Sequence, residues 1–164
     1  MTESSPSRRC VIAGFDGSPA SRAAVSLAVQ RAQPDGRVVV VHAFDPPDGR
    51  YDGVSYQRRL NAGLDRARAV LENLPEEVPG LASLDWGTEV LAGPAAQAIA
   101  RVADLEHASE ILVGSRGHGR ARALLGSVAH GLIPRAHCPV TVIPERALPL
   151  STAEHLAGVG DAAG

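Results

Sequence analysis

The sequence predicts an α/β fold: an open, doubly wound, five-stranded parallel sheet in the order 3-2-1-4-5, with helices on both faces. Three observations point to it. Short apolar, β-branched runs alternate with stretches that repeat apolar residues at i, i+3 and i+4. The runs CVIAGF (10–15), RVVVVHAF (37–44) and EILVG (110–114) carry almost no polar residues, as strands covered on both faces require. Breaks rich in Gly, Pro and Asp separate the segments.

The first strand, 10–15, ends at DGSP, where Ser18 can cap a helix whose first turn holds Pro19. In that helix Ala24, Leu27 and Ala28 share a face, and Pro34-Asp35-Gly36 breaks the pattern before the second strand, 37–44. After a loop at 45–53, Leu60, Leu64, Ala67 and Leu71 recur at helical spacing and mark the second crossover helix. LDWGTEVL (84–91) alternates enough to be a strand nearer the sheet edge, with Trp86 partly buried. Gly93-Pro94 then opens a helix that turns Ala95, Ala98, Ile99 and Val102 inward. The fourth strand, 110–114, runs into a glycine-rich loop, a helix starting near Ser127, and a last strand, PVTVIP (139–144). At 164 residues there is room for one domain, expected over 9–145, with a disordered N-terminus at 1–8 and a flexible tail at 146–164.

Composition excludes several functions. A formal net charge of -2 provides no field for nucleic acid or an anionic membrane. Every basic residue is Arg, so a P-loop lysine, a Schiff base and a lysine general base are ruled out. Cys10 and Cys138 read as packed thiols, and the His residues show no metal-ligand spacing with acidic or Cys partners, so no metal site is expected. No apolar stretch approaches 18 residues and MTESSPSRR lacks a hydrophobic segment behind its charges, so a cytoplasmic protein is expected.

In open sheets of this kind ligands bind beyond the carboxyl ends of the strands where the strand order reverses, and FDGS (15–18) and GSRG (114–117) both emerge there. Glycine lets backbone N–H groups approach a phosphate closely, and Ser127 stands where the next helix begins, so the 114–127 segment suits a phosphate chain. Asp16 suits either ligand contact or a cap on the first helix. Arg116, Arg120 and Arg122 suit either phosphate or solvent. His118 has no neighbouring carboxylate to orient it, and no catalytic residue is assigned.

From Val11 to Pro144 the chain resembles the universal stress protein family, whose ATP-binding members carry G-x2-G-x9-G-(S/T) after the fourth strand. Gly114, Gly117, Gly126 and Ser127 match those positions, and AGFDGS, HAF, SVAHGLI and HCPVTVIP extend the likeness. The resemblance implies a Rossmann-like domain that binds ATP, with or without Mg2+, through Gly14, Phe15, Asp16, Ala43, Val113, Gly114, Arg116, Gly117, Gly126, Ser127 and Val128. Asp16 is then placed beside adenine and ribose, and Ala43 near the adenine. The resemblance also implies a homodimer through the last strand, Val140, Thr141, Val142 and Ile143. The sequence departs from the family at three points. Eight residues rather than nine separate Gly117 from Gly126; Pro134 falls in the last helix, which must bend or end there; and Gly93-Pro94 lacks a residue that relatives often place between the two. The shortened loop leaves a second reading, a dimeric family member that binds no nucleotide. A third, an ATP pyrophosphatase or amidating enzyme of the same superfold, would need an SGG-x-DS-like loop where this chain has FDGSPAS.

Overall fold

The computed structural model describes residues 8–50, 52–115 and 125–144. Five parallel strands form one sheet in the order β3-β2-β1-β4-β5. They are β1 (Cys10–Gly14), β2 (Arg37–Phe44), β3 (Asp85–Ala92), β4 (Glu110–Gly114) and β5 (Val140–Ile143). Helices α1 (Pro19–Ala32), α2 (Gly53–Leu71), α3 (Leu74–Glu77), α4 (Ala95–Leu105) and α5 (Ser127–Leu132) supply the connections. The expected order and crossover pattern are those observed. The expected disordered and flexible ends, 1–8 and 146–164, fall outside the described residues except for Arg8.

β1 sits at the centre, paired on one side with β2 (Val11 opposite Val38) and on the other with β4 (Val11 opposite Glu110). All five of its residues are buried, as the apolar run CVIAG requires for a strand covered on both faces. The pleat sends Val11, Ala13 and Phe15 to one face, where they meet Ala24, Val25 and Ala28 of α1 together with Leu71, Leu74 and Leu81. Cys10 and Ile12 go to the other, where Ile99, Val102 and Ala103 of α4 and Ala129 and Leu132 of α5 cover them. Trp86 is half-buried in edge strand β3, as its pattern suggests.

Local signals set the helix boundaries. Ser18 Oγ accepts a 3.2 Å hydrogen bond from the Ser21 amide and Pro19 opens α1, the capping arrangement its sequence foretells. Gly93 takes φ 122 and donates its amide to the Phe44 carbonyl at 2.9 Å, which turns the chain from β3 into α4; Pro94 forms the N-cap. Helix α5 ends at Leu132, and Leu132 O accepts the amides of Arg135 and Ala136, both at 2.9 Å. Pro134 therefore stands beyond the helix and breaks none of its bonds.

Candidate functional site

Beyond the carboxyl ends of β1 and β4, at the reversal of strand order, lies a half-open cleft of about 90 Å³. Phe15 and Asp16 follow β1, Val41 and Ala43 come from β2, Val113 and Gly114 from β4, and Ala95 and Ile99 from α4; Ser21 and Val128 complete the lining. Of the residues expected at the site, Gly14, Phe15, Asp16, Ala43, Val113, Gly114 and Val128 meet here. Gly126 and Ser127 stand outside the lining: Gly126 caps α5 with its amide donating to Ser115 O at 2.6 Å, and Ser127 is exposed in the first turn. Arg116 and Gly117, with His118, Arg120 and Arg122, lie outside the described residues.

The turn after β1 is closely bonded. Phe15 N donates to Val41 O at 2.9 Å, and His42 Nδ1 donates to Phe15 O at 2.7 Å, so β2 grips Phe15 from both peptide groups. Asp16 Oδ1 accepts from the Ser18 amide at 3.0 Å, while the Asp16 amide donates to Ser21 Oγ at 3.3 Å. Gly17 between them holds φ 83, a conformation that side chains disfavour. Asp16 thus shapes the turn and lines the cleft, whereas the cap of α1 is Ser18.

The two glycines that line the cleft are also required by packing. A Cβ on Gly114 would lie 2.9 Å from Ala20 Cβ and 3.2 Å from the Ala20 carbonyl carbon, and one on Gly14 would lie 2.8 Å from Ile99 Cδ1. Their missing side chains let α1 and α4 approach the strand ends, so packing by itself is enough to demand glycine at both. Ser21, Val41, Ala95 and Ile99 were not anticipated as lining residues. Val41 was within reach of sequence reasoning, since it shares a β-face with Ala43. Ala95 and Ile99 were read only as inward-facing, and Ser21 depends on the tertiary approach of α1.

The described lining is apolar along Val41, Ala43, Ile99, Val113 and Val128, with Asp16 and Ser21 as its polar side chains. A sequence profile of the universal stress protein family matches residues 8–144. The chain belongs to the universal stress protein family. It is similar to a universal stress protein encoded in the QAH/OAS sulfhydrylase 3' region of Thermus aquaticus, 30% identical over 143 residues, which cover 82% of this chain and 98% of that one. It is 33% identical over 143 residues to the universal stress protein Rv2624c of Mycobacterium tuberculosis; the match covers 84% of this chain and 49% of the relative, so the chain spans about half its length. Among solved structures, the universal stress protein UspA from Lactobacillus plantarum superposes with TM-score 0.68 at 20% identity, over 85% of this chain and 99% of that one. A universal stress protein in complex with cAMP superposes with TM-score 0.61 at 24% identity, over 82% and 96% of the two chains. This universal stress protein shares their α/β architecture. Among its described residues, no helix is long and apolar enough to cross a membrane.

Proposed function

We propose that this universal stress protein binds an adenine nucleotide, ATP in the first instance, in the cleft between β1 and β4, and that occupancy alters the surface presented by residues 114–127 to a partner. One observation carries the proposal: at the switch point of the sheet, Val41, Ala43, Ile99, Val113 and Val128 form an apolar wall with Asp16 on the same lining. In this reading the wall takes the flat base and the Asp16 carboxylate accepts hydrogen bonds from the sugar. The related protein solved with cAMP supports the same choice of ligand class. In this reading the polyphosphate, with or without Mg2+, extends toward the 114–127 segment and the first amides of α5, where Gly126 provides no side-chain cap. The proposed role is binding and regulation in the cytoplasm, with no catalytic residue assigned. It includes a homodimer formed through β5, an edge strand whose Val140, Thr141 and Val142 are half-buried in the single chain.

Isothermal titration of the purified full chain with Mg-ATP, AMP and cAMP tests the ligand. Ala43→Phe, which fills the base end of the cleft, should weaken the best ligand by about tenfold or more, equivalent to roughly 1.4 kcal/mol. Gly117→Val should abolish the preference for ATP over AMP. Undiminished binding by Ala43→Phe would refute the cleft as the site. The eight-residue spacing between Gly117 and Gly126 favours the second reading, a dimer that holds no nucleotide. Mass spectrometry of small molecules released from the purified protein separates the two.

A further inference from the structure

Arg22, in the first turns of α1, does not line the cleft, yet its side chain ends on the turn that forms the cleft's rim. Nη1 donates to the Gly17 carbonyl, and the guanidinium carbon stands 5.9 Å from the centroid of the buried Phe15 ring. Nε donates to Glu77 Oε2 at 2.7 Å, in an ion pair whose two side chains are both near 40% exposed (43% and 37%). One planar group therefore joins three things: the Gly17–Ser18 peptide, the Phe15 ring, and the end of α3. Only a guanidinium presents donors along its edges and a face for stacking at once.

The position of the Gly17 peptide matters for the ligand. Gly17 holds φ 83, and the next amide, that of Ser18, donates to Asp16 Oδ1. Rotation of this peptide would swing the Ser18 N–H and release the Asp16 carboxylate from its place at the cleft. Glycine at this position resists rotation poorly, because it occupies many backbone conformations at little cost. Within the turn the Ser18 amide is held by Asp16 Oδ1, and from outside it the Arg22 side chain reaches the Gly17 carbonyl on the same peptide.

We propose that Arg22 is a positioning residue: it locks the Phe15–Ser18 turn so that Asp16 faces the ligand, and Glu77 of α3 anchors the guanidinium that does so. This rests on the nucleotide-binding reading above for its effect on affinity, but not for its effect on the turn. An exposed ion pair contributes little to global stability, so the loss should be local.

The test uses the full chain with Arg22→Gln, Arg22→Lys and Glu77→Gln, read by amide hydrogen exchange in the free protein, by Mg-ATP titration and by thermal unfolding. Arg22→Gln should speed exchange at the Ser18 amide, which is bonded to Asp16 Oδ1, by about tenfold and weaken ATP by about tenfold, with the unfolding midpoint within about 2 °C of the parent. Arg22→Lys should recover less than half of the lost affinity on a logarithmic scale, and Glu77→Gln should fall between the parent and Arg22→Gln. Unchanged exchange at Ser18 in Arg22→Gln overturns the proposal whether or not the parent binds ATP. So does faster exchange with undiminished ATP affinity, or acceleration spread along all of α1 with a large fall in midpoint, which marks a merely structural role. A parent chain that binds no adenine nucleotide refutes the nucleotide reading alone, and the exchange data still decide whether Arg22 holds the turn.

Discussion

Gly114 and Cys10 illustrate how a single residue's neighbours decide what it does. Substituting Ala at Gly114 puts a Cβ against Ala20 Cβ at 2.9 Å and against α1 backbone at 3.2 Å, atoms that cannot swing aside. Gly114→Ala should cost roughly 1–3 kcal/mol in urea unfolding, the range for overpacking a dense core. Gly14→Ala should cost less, because its nearest obstruction is the flexible end of Ile99. For Cys10, burial pushes the thiol from 9.0 up to about 11, with Glu106 adding to the effect and Arg37 opposing it. The unfolded chain releases this proton near its ordinary value and the folded chain holds it longer. The resulting stability is complete below pH 9.0 and is lost as pH rises toward about 11. Urea midpoints should fall across that window, and Cys10→Ala should show a shallower fall.

At the scale of elements, the segment between α2 and β3 carries structure that the sequence reading passed over. Helix α3 and a 3₁₀ turn at Leu81–Ser83 set Leu74, Val78 and Leu81 into the core beside α1, each at 1% exposure or less. Their spacing, i, i+4 and i+7, is helical, so the signal was present but divided by Pro79-Gly80 into pieces too short to read as an element. Leu81→Ala should cost about 2–5 kcal/mol by denaturant unfolding, as for a fully buried leucine. The remaining helices were legible because caps and periodicity agree: Ser18 before Pro19, and Ala98, Ile99 and Val102 on one face of α4. The stop of α5 before Pro134 followed from proline chemistry, whereas its position at Leu132 depends on how Leu132 packs under α4.

For the whole molecule, occupancy of the cleft should couple to unfolding. A ligand at a hundred times its dissociation constant stabilises the native state by about 2.7 kcal/mol, which for a domain of this size raises the unfolding midpoint by roughly 5 to 11 °C. Differential scanning fluorimetry with Mg-ATP should show that shift in the parent chain and little of it in Ala43→Phe. The cleft's location was readable from topology alone, since ligand sites in open α/β sheets follow the reversal of strand order. Its composition was only partly readable: Phe15, Asp16, Ala43 and Val113 come from strand ends adjacent to recognisable motifs, while Ser21 and Ile99 reach the cleft from helices.

By itself, the sequence determined the parallel sheet, its order, the N-cap of α1 and the strand ends that border the cleft, because these rest on local periodicity, turn chemistry and the handedness of crossovers. Only the tertiary structure decided that Gly14 and Gly114 serve close packing, that Ser21 and Ile99 join the cleft, and that Arg22, bonded to Gly17, reaches Glu77 across 55 residues of chain. Those contacts arise from side chains on separate elements meeting in space, and their distances depend on how closely two helices approach one sheet, which no spacing along the chain encodes.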